Sequence, residues 1–169
     1  MSTGVNGHVY AMSGAMSGGT LAHGRLVSSW SRLLGVALEG RPCFAFTSDM
    51  RVRIEETGTS TYPDGTVVCG EVETSKFDKD EITNPVVVGV LSPSTEVYDR
   101  GAKAKHYRQL PSLREYVLVS QDEQRVEVQR LNAQGWWELR FFGKGEQAEL
   151  ASIDVRVSVD ALHANPLPS

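Results

Sequence analysis

The run NPVVVGVLSPST at residues 84–95 constrains this chain more than any other segment. It is almost continuously apolar and β-branched, then breaks at Ser-Pro-Ser-Thr. Such a run marks a central strand covered on both faces, which requires a layer above the sheet and a layer below it. Gly89 interrupts that logic. It sits mid-run, lowers strand propensity and offers no side chain to pack.

The flanking segments supply the layers. Thr20 is a helix N-cap, and Leu26, Val27, Trp30, Leu33, Leu34, Ala37 and Leu38 recur at spacings of three and four. That is an amphipathic helix, ended by Gly40 and Pro42. A short strand is expected at His8–Met12 before it, with a loop at Ser13–Gly19 between them. Residues 43–54 read as one strand region interrupted at Thr47-Ser48-Asp49. A turn-rich stretch, EETGTSTYPDG, leads to a strand at 66–69, and a charged, solvated loop fills 71–83. After the opening strand, Ser94 or Thr95 caps a helix running to Leu110, with Tyr98, Ala102 and Leu110 as its buried stripe and His106 and Tyr107 at the stripe's edges. Strands follow at 115–120, 125–131 and 135–142, then a short strand and helix over 153–163. The order predicts an α/β domain with a mixed sheet and a β-rich C-terminal extension.

The 169 residues suit one domain, placed at residues 8–163, with disordered tails at 1–7 and 164–169. A net charge of -4 gives no global positive field, so a nucleic-acid partner would need a local site. No segment is long enough to span a membrane, and the N-terminus lacks the pattern of a signal peptide. Cys43 and Cys69 have no metal-type spacing and lie in apolar segments. They are expected as buried free thiols in a reducing cytoplasm.

Three phrases are more specific: TYPDGTVVCG, NPVVVGVLSPST and YDRGAKAKHYRQLPSLREYVLVSQDE. With AHGRL in the first helix and SDMRVRI in the first core strand, they closely resemble the Uma-type restriction endonucleases of the PD-(D/E)xK nuclease superfamily. The resemblance implies a restriction-endonuclease-like αβββαβ core and Mg²⁺- or Mn²⁺-dependent hydrolysis of DNA phosphodiester bonds. In that chemistry two carboxylates hold the metal, the metal activates water, and a lysine stabilises the developing charge. Carried onto this chain, the aspartate is Asp64 and the lysine is Lys103, in DRGAK. The family reads Glu-Val-Leu-Ser-Pro-Ser-Thr where this chain reads Gly-Val-Leu-Ser-Pro-Ser-Thr, so Gly89 stands at the position of the metal-binding glutamate. The implied activity is therefore an impaired endonuclease. The alternative is an inactive nuclease-fold protein that binds nucleic acid or a protein partner. A glutamate restored at position 89 is expected to recover metal binding and cleavage.

Each residue has a plainer reading. Asp64 in Tyr-Pro-Asp-Gly also suits a β-turn. Lys103, near Arg100, Lys105 and Arg108, also suits a solvated helix face. His23 could approach substrate or a metal-bound water, or serve as a structural histidine. Asp49 could reach the same cleft as a metal ligand, or shape a turn, and Glu71 and Glu73 are further acidic candidates. Of Trp136-Trp137 and Phe141-Phe142, one member of each pair must face outward in a strand. An exposed aromatic edge points to a homodimer contact more than to base stacking.

Overall fold

The computed structural model describes residues 9–10, 20–93 and 97–164, and the side chains of 20–93 and 101–164. The loop at Ser13–Gly19, the Ser94/Thr95 cap and the expected tails, Ala164 apart, lie outside these residues. Of the expected first strand, Val9–Tyr10 is described and forms β1.

Helix α1 spans Leu21–Ala37, with the Thr20 hydroxyl accepting the His23 backbone N–H at 3.1 Å. Leu26, Trp30 and Leu34 repeat every four residues and are its buried face. Gly40 follows with φ 74°, the left-handed conformation that lets the chain turn back sharply. Next come β2 (Cys43–Thr47), β3 (Arg51–Ile54), β4 (Thr59–Thr61), β5 (Gly65–Cys69), β6 (Glu81–Ile82) and β7 (Val87–Ser92). Helix α2 (Val97–Tyr107) connects β7 to β8 (Glu115–Ser120), and β9 (Arg125–Leu131) and β10 (Trp137–Gly143) form a hairpin. β11 (Gln147–Leu150), a 3-10 turn at Ala151–Ile153, β12 (Val155–Ser158) and α3 (Val159–Leu162) close the chain.

The main sheet has the order β10-β9-β8-β7-β5-β2. Only β7 and β8 are parallel, and such a pair needs a crossover, here α2. β7 is buried throughout its length, as its composition requires. Val87 and Leu91 face α1, joining Leu26, Trp30, Leu34, Val67 and Val117 in one core. Val88 and Val90 face α2, joining Ala104, Tyr107, Tyr116 and Leu118 in a second. The mixed sheet between two helices and the strand-rich C-terminus agree with the expected fold class.

Several local expectations are corrected. Residues 43–54 are not one strand region: β2 belongs to the main sheet, whereas β3 lies in a second sheet, β1-β4-β3-β6. That sheet recruits β4 from the turn-rich stretch and β6 from the supposed solvated loop. Glu81 of β6 is buried because cations meet it. Arg51 Nε lies 3.2 Å and Arg53 Nη1 3.8 Å from its carboxylate, and the Ser60 hydroxyl donates to it. The arginine face of β3 is thus turned toward a partner, not toward water. On α2 the buried stripe uses Ala104 and Tyr107, continued by Leu110, and leaves Ala102 exposed.

Cys43 and Cys69 are not free thiols. They oppose each other across β2 and β5 and form a disulfide. Direct cross-strand neighbours bring their Cβ atoms within bridging reach, which a sequence separation of 26 conceals. The step from free thiols to a reducing compartment loses its footing.

Candidate active site

Asp64 occupies the bend between Pro63 and the first residue of β5. The register sets Gly65 opposite Gly89, so Asp64 reaches β7 beside Val90 and Leu91. Its carboxylate is 2% exposed. One oxygen, Oδ2, accepts the backbone N–H of Leu91 at 2.8 Å; the other, Oδ1, lies 2.9 Å from His23 Nε2. Both acceptors are engaged, so the carboxylate is buried without being orphaned.

His23 comes from the first turn of α1, where the Thr20 cap fixes its backbone. The hydrogen bond to Asp64 raises the imidazole above its ordinary 6.5, and the aspartate charge adds to this. Burial pulls the other way and loses. The arrangement can hold a proton on an imidazole whose ring is oriented by a buried carboxylate.

Two turns further along α1, on the same helix face, stands Trp30. Its indole rests on the two opposed glycines. A Cβ added at Gly89 would lie 2.8 Å from Trp30 Cζ2. One added at Gly65 would lie 2.9 Å from Cδ1 and fall onto Nε1. Real Cβ atoms do not approach heavy atoms so closely, so the ring and two bare backbones form one packing unit. The space into which a side chain at position 89 would project is filled by the indole.

The structure therefore brings Asp64, His23 and Gly89 together. Lys103 is half-buried on α2, whose buried residues pack in the core on the other face of the sheet from α1. No hydrogen bond or ion pair among the described residues links it to Asp64. Asp49 is exposed in the turn between β2 and β3, without such a link to Asp64 or His23. Glu71 and Glu73 are exposed in the loop after β5, and no hydrogen bond or ion pair among the described residues links their side chains to Asp64 or His23. Among the described residues, no three His, Cys, Asp or Glu side chains gather closely enough to hold a metal ion. A cleft of about 350 Å³ opens near the start of α1, lined by Ala22, Arg25, Ser29, Gln121, Glu123 and His163, and no predicted site residue lines it.

Sequence reasoning missed Trp30, which reads as one more core residue on an amphipathic helix. The available signal was the pair of glycines, one directly after Asp64 and one inside β7. Two strand glycines with a large aromatic on the covering helix invite the question of what lies on them.

The comparisons agree with this fold. The crystal structure of a "putative nuclease belonging to DUF820" from Anabaena variabilis superposes with a TM-score of 0.63 at 18% identity, over 85% of this chain and 81% of that one. At that identity the likeness speaks to fold alone. Two Synechocystis proteins are similar in sequence. Uncharacterized protein slr1290 is 34% identical over 161 residues, covering 94% of this chain and 80% of its own. Uncharacterized protein sll1609 is 32% identical over 142 residues, covering 83% and 80%. The model of the Uma2 family, described as "Putative restriction endonuclease", matches residues 3–160. With nearly its whole length matched and a nuclease-like mixed sheet, the chain belongs to the Uma2 family.

Proposed function

We propose that this chain is a nuclease-fold protein in which phosphodiester hydrolysis is disabled, and that it acts by binding DNA without cutting it. The observation that carries this reading is the indole of Trp30 seated on Gly65 and Gly89. In the family pattern, position 89 holds the second metal-binding carboxylate. Here it has no side chain, and the volume a carboxylate and a hydrated cation would need is occupied by an aromatic ring. The remaining carboxylate, Asp64, spends both oxygens on His23 and the Leu91 N–H. These residues do not fit a two-carboxylate Mg²⁺ site, since Mg²⁺ demands near-octahedral oxygen ligation and keeps much of its water.

The same geometry explains why restoring one residue is not enough. A glutamate placed at position 89 must push its Cβ into the indole, so Gly89→Glu alone strains the core before it can offer a ligand. DNA as the ligand is supported by family membership. It is also supported by Phe77, 70% exposed, with Arg53 4.8 Å and Lys76 5.6 Å from its ring, a cationic aromatic platform of the kind on which bases stack.

The test is a cleavage and binding assay on the purified chain. With Mg²⁺ or Mn²⁺, plasmid and oligonucleotide DNA should stay intact at the level of an Asp64→Ala control, while fluorescence anisotropy reports salt-dependent DNA binding. Metal-dependent cutting that disappears in Asp64→Ala would overturn the disabled-centre reading. Intact DNA with no binding at low salt would remove DNA as the ligand.

A further inference from the structure

The outer edge of β10 closes the main sheet on one side, and among the described residues no strand pairs with it. Open edges are ordinarily blunted by proline, bulges or charge of a single sign. β10, with sequence WELRFFG, carries one charge of each sign and several large apolar groups. Its side chains divide by alternation. Trp137 packs against the α2-side core, and Leu139 and Phe141 continue on that face, 51% and 50% exposed. Phe142 packs against the α1-side core, and Glu138 and Arg140 share that face, 3.7 Å apart and each about half exposed.

We propose that β10 is a homotypic interface, pairing antiparallel with β10 of a second copy about a two-fold axis through Leu139. In this register every cross-strand neighbour is complementary. Glu138 faces the partner's Arg140, and Arg140 faces the partner's Glu138, on one surface of the joined sheet. Leu139 meets its own counterpart on the other surface, with Trp137 opposite the partner's Phe141. Centring the axis on Glu138 or Arg140 instead sets like charges against each other, which cross-strand pairing disfavours. A two-fold interface must be self-complementary, and in the Leu139 register this strand pairs both its opposite charges and its aromatic residues. The joined sheet would run to twelve strands, with the two exposed apolar rows packed side by side on one face. One strand pair lies at the small end of protein interfaces, so the dimer should be concentration-dependent.

Sedimentation velocity from low to high micromolar protein tests this, with circular dichroism confirming that each variant is folded. The wild type should shift from monomer toward dimer. Glu138→Arg and Arg140→Glu should each weaken dimerisation at least about tenfold. The double variant E138R/R140E, which restores both the pairing and the net charge, should recover it. A wild type that stays monomeric throughout, a dimer that neither single change weakens, or a double variant no better than the singles would each overturn the proposal.

Discussion

Glycine inside a strand is normally a weakness, so replacing it with alanine should help by reducing the entropy lost on folding. At positions 65 and 89 the sign reverses, because the added methyl group meets the Trp30 ring within a closed core. Gly89→Ala is expected to destabilise the protein by about 1–3 kcal/mol in urea titration, and Gly65→Ala by at least as much. In a double-mutant cycle, Trp30→Ala should remove most of that penalty, since the methyl group then enters a cavity. Alanine variants as stable as wild type would show that the ring does not need bare backbone beneath it. His23 supports a second expectation at this scale. Its folded-state pKa is raised by Asp64, so its contribution to stability is fully present below the unfolded value of 6.5 and is lost as pH rises through the folded value. His106, lowered by burial, runs the other way and is lost as pH falls. The difference in unfolding free energy between wild type and His23→Gln isolates the first effect, and should be larger near about pH 5.5 than near about pH 9. A difference independent of pH would mean that Asp64 does not hold the imidazolium.

At the scale of elements, the parts best legible in the sequence were those with strong periodicity and local punctuation. Thr20, the four-residue apolar rhythm and Gly40 delimit α1; β7 through β9 follow from composition and turns. What stayed hidden depends on partners distant in sequence. β4 and β6 are two or three residues long and carry polar side chains, and they become strands because Arg51 and Arg53 on β3 neutralise Glu81. The Cys43–Cys69 bridge required knowing that β2 and β5 pair in that register. Glu115 has the same character. It is fully buried in β8 and accepts from Arg130 Nε at 2.8 Å, the Ala151 and Ser152 N–H groups and the Ser152 hydroxyl, so it fastens the C-terminal 3-10 turn to the main sheet. No local pattern marks a glutamate as a tie between segments more than thirty residues apart. The site was legible to a similar depth. Asp64, His23 and Gly89 could be named in advance, yet the Trp30 indole seated on Gly65 and Gly89 gives no local sign of its role. The helix bearing Lys103 could be placed, but not its position on the far face of the sheet.

At the scale of the molecule, two helices cover opposite faces of one mixed sheet, a fold shared with the Anabaena variabilis protein. In this chain the strand order sets β7 and β8 parallel and puts Asp64 at the head of β5. On the proposed reading, Gly89 stands where a metal-binding carboxylate would, and the Trp30 ring fills that space with apolar packing in place of a charged site that would have to be desolvated. On that reading the change runs toward stability and away from chemistry, the direction expected when a site is no longer used. The open edge at β10 is the surface proposed to pair with a second copy. The central claim, that Trp30 closes the hollow beside Asp64, is tested most directly by a crystal structure grown with Mn²⁺ and measured for anomalous scattering. The indole is expected to lie across Gly65 and Gly89, with no manganese peak at the Asp64 carboxylate. A manganese ion bound to Asp64, with the ring displaced to admit it, would contradict it.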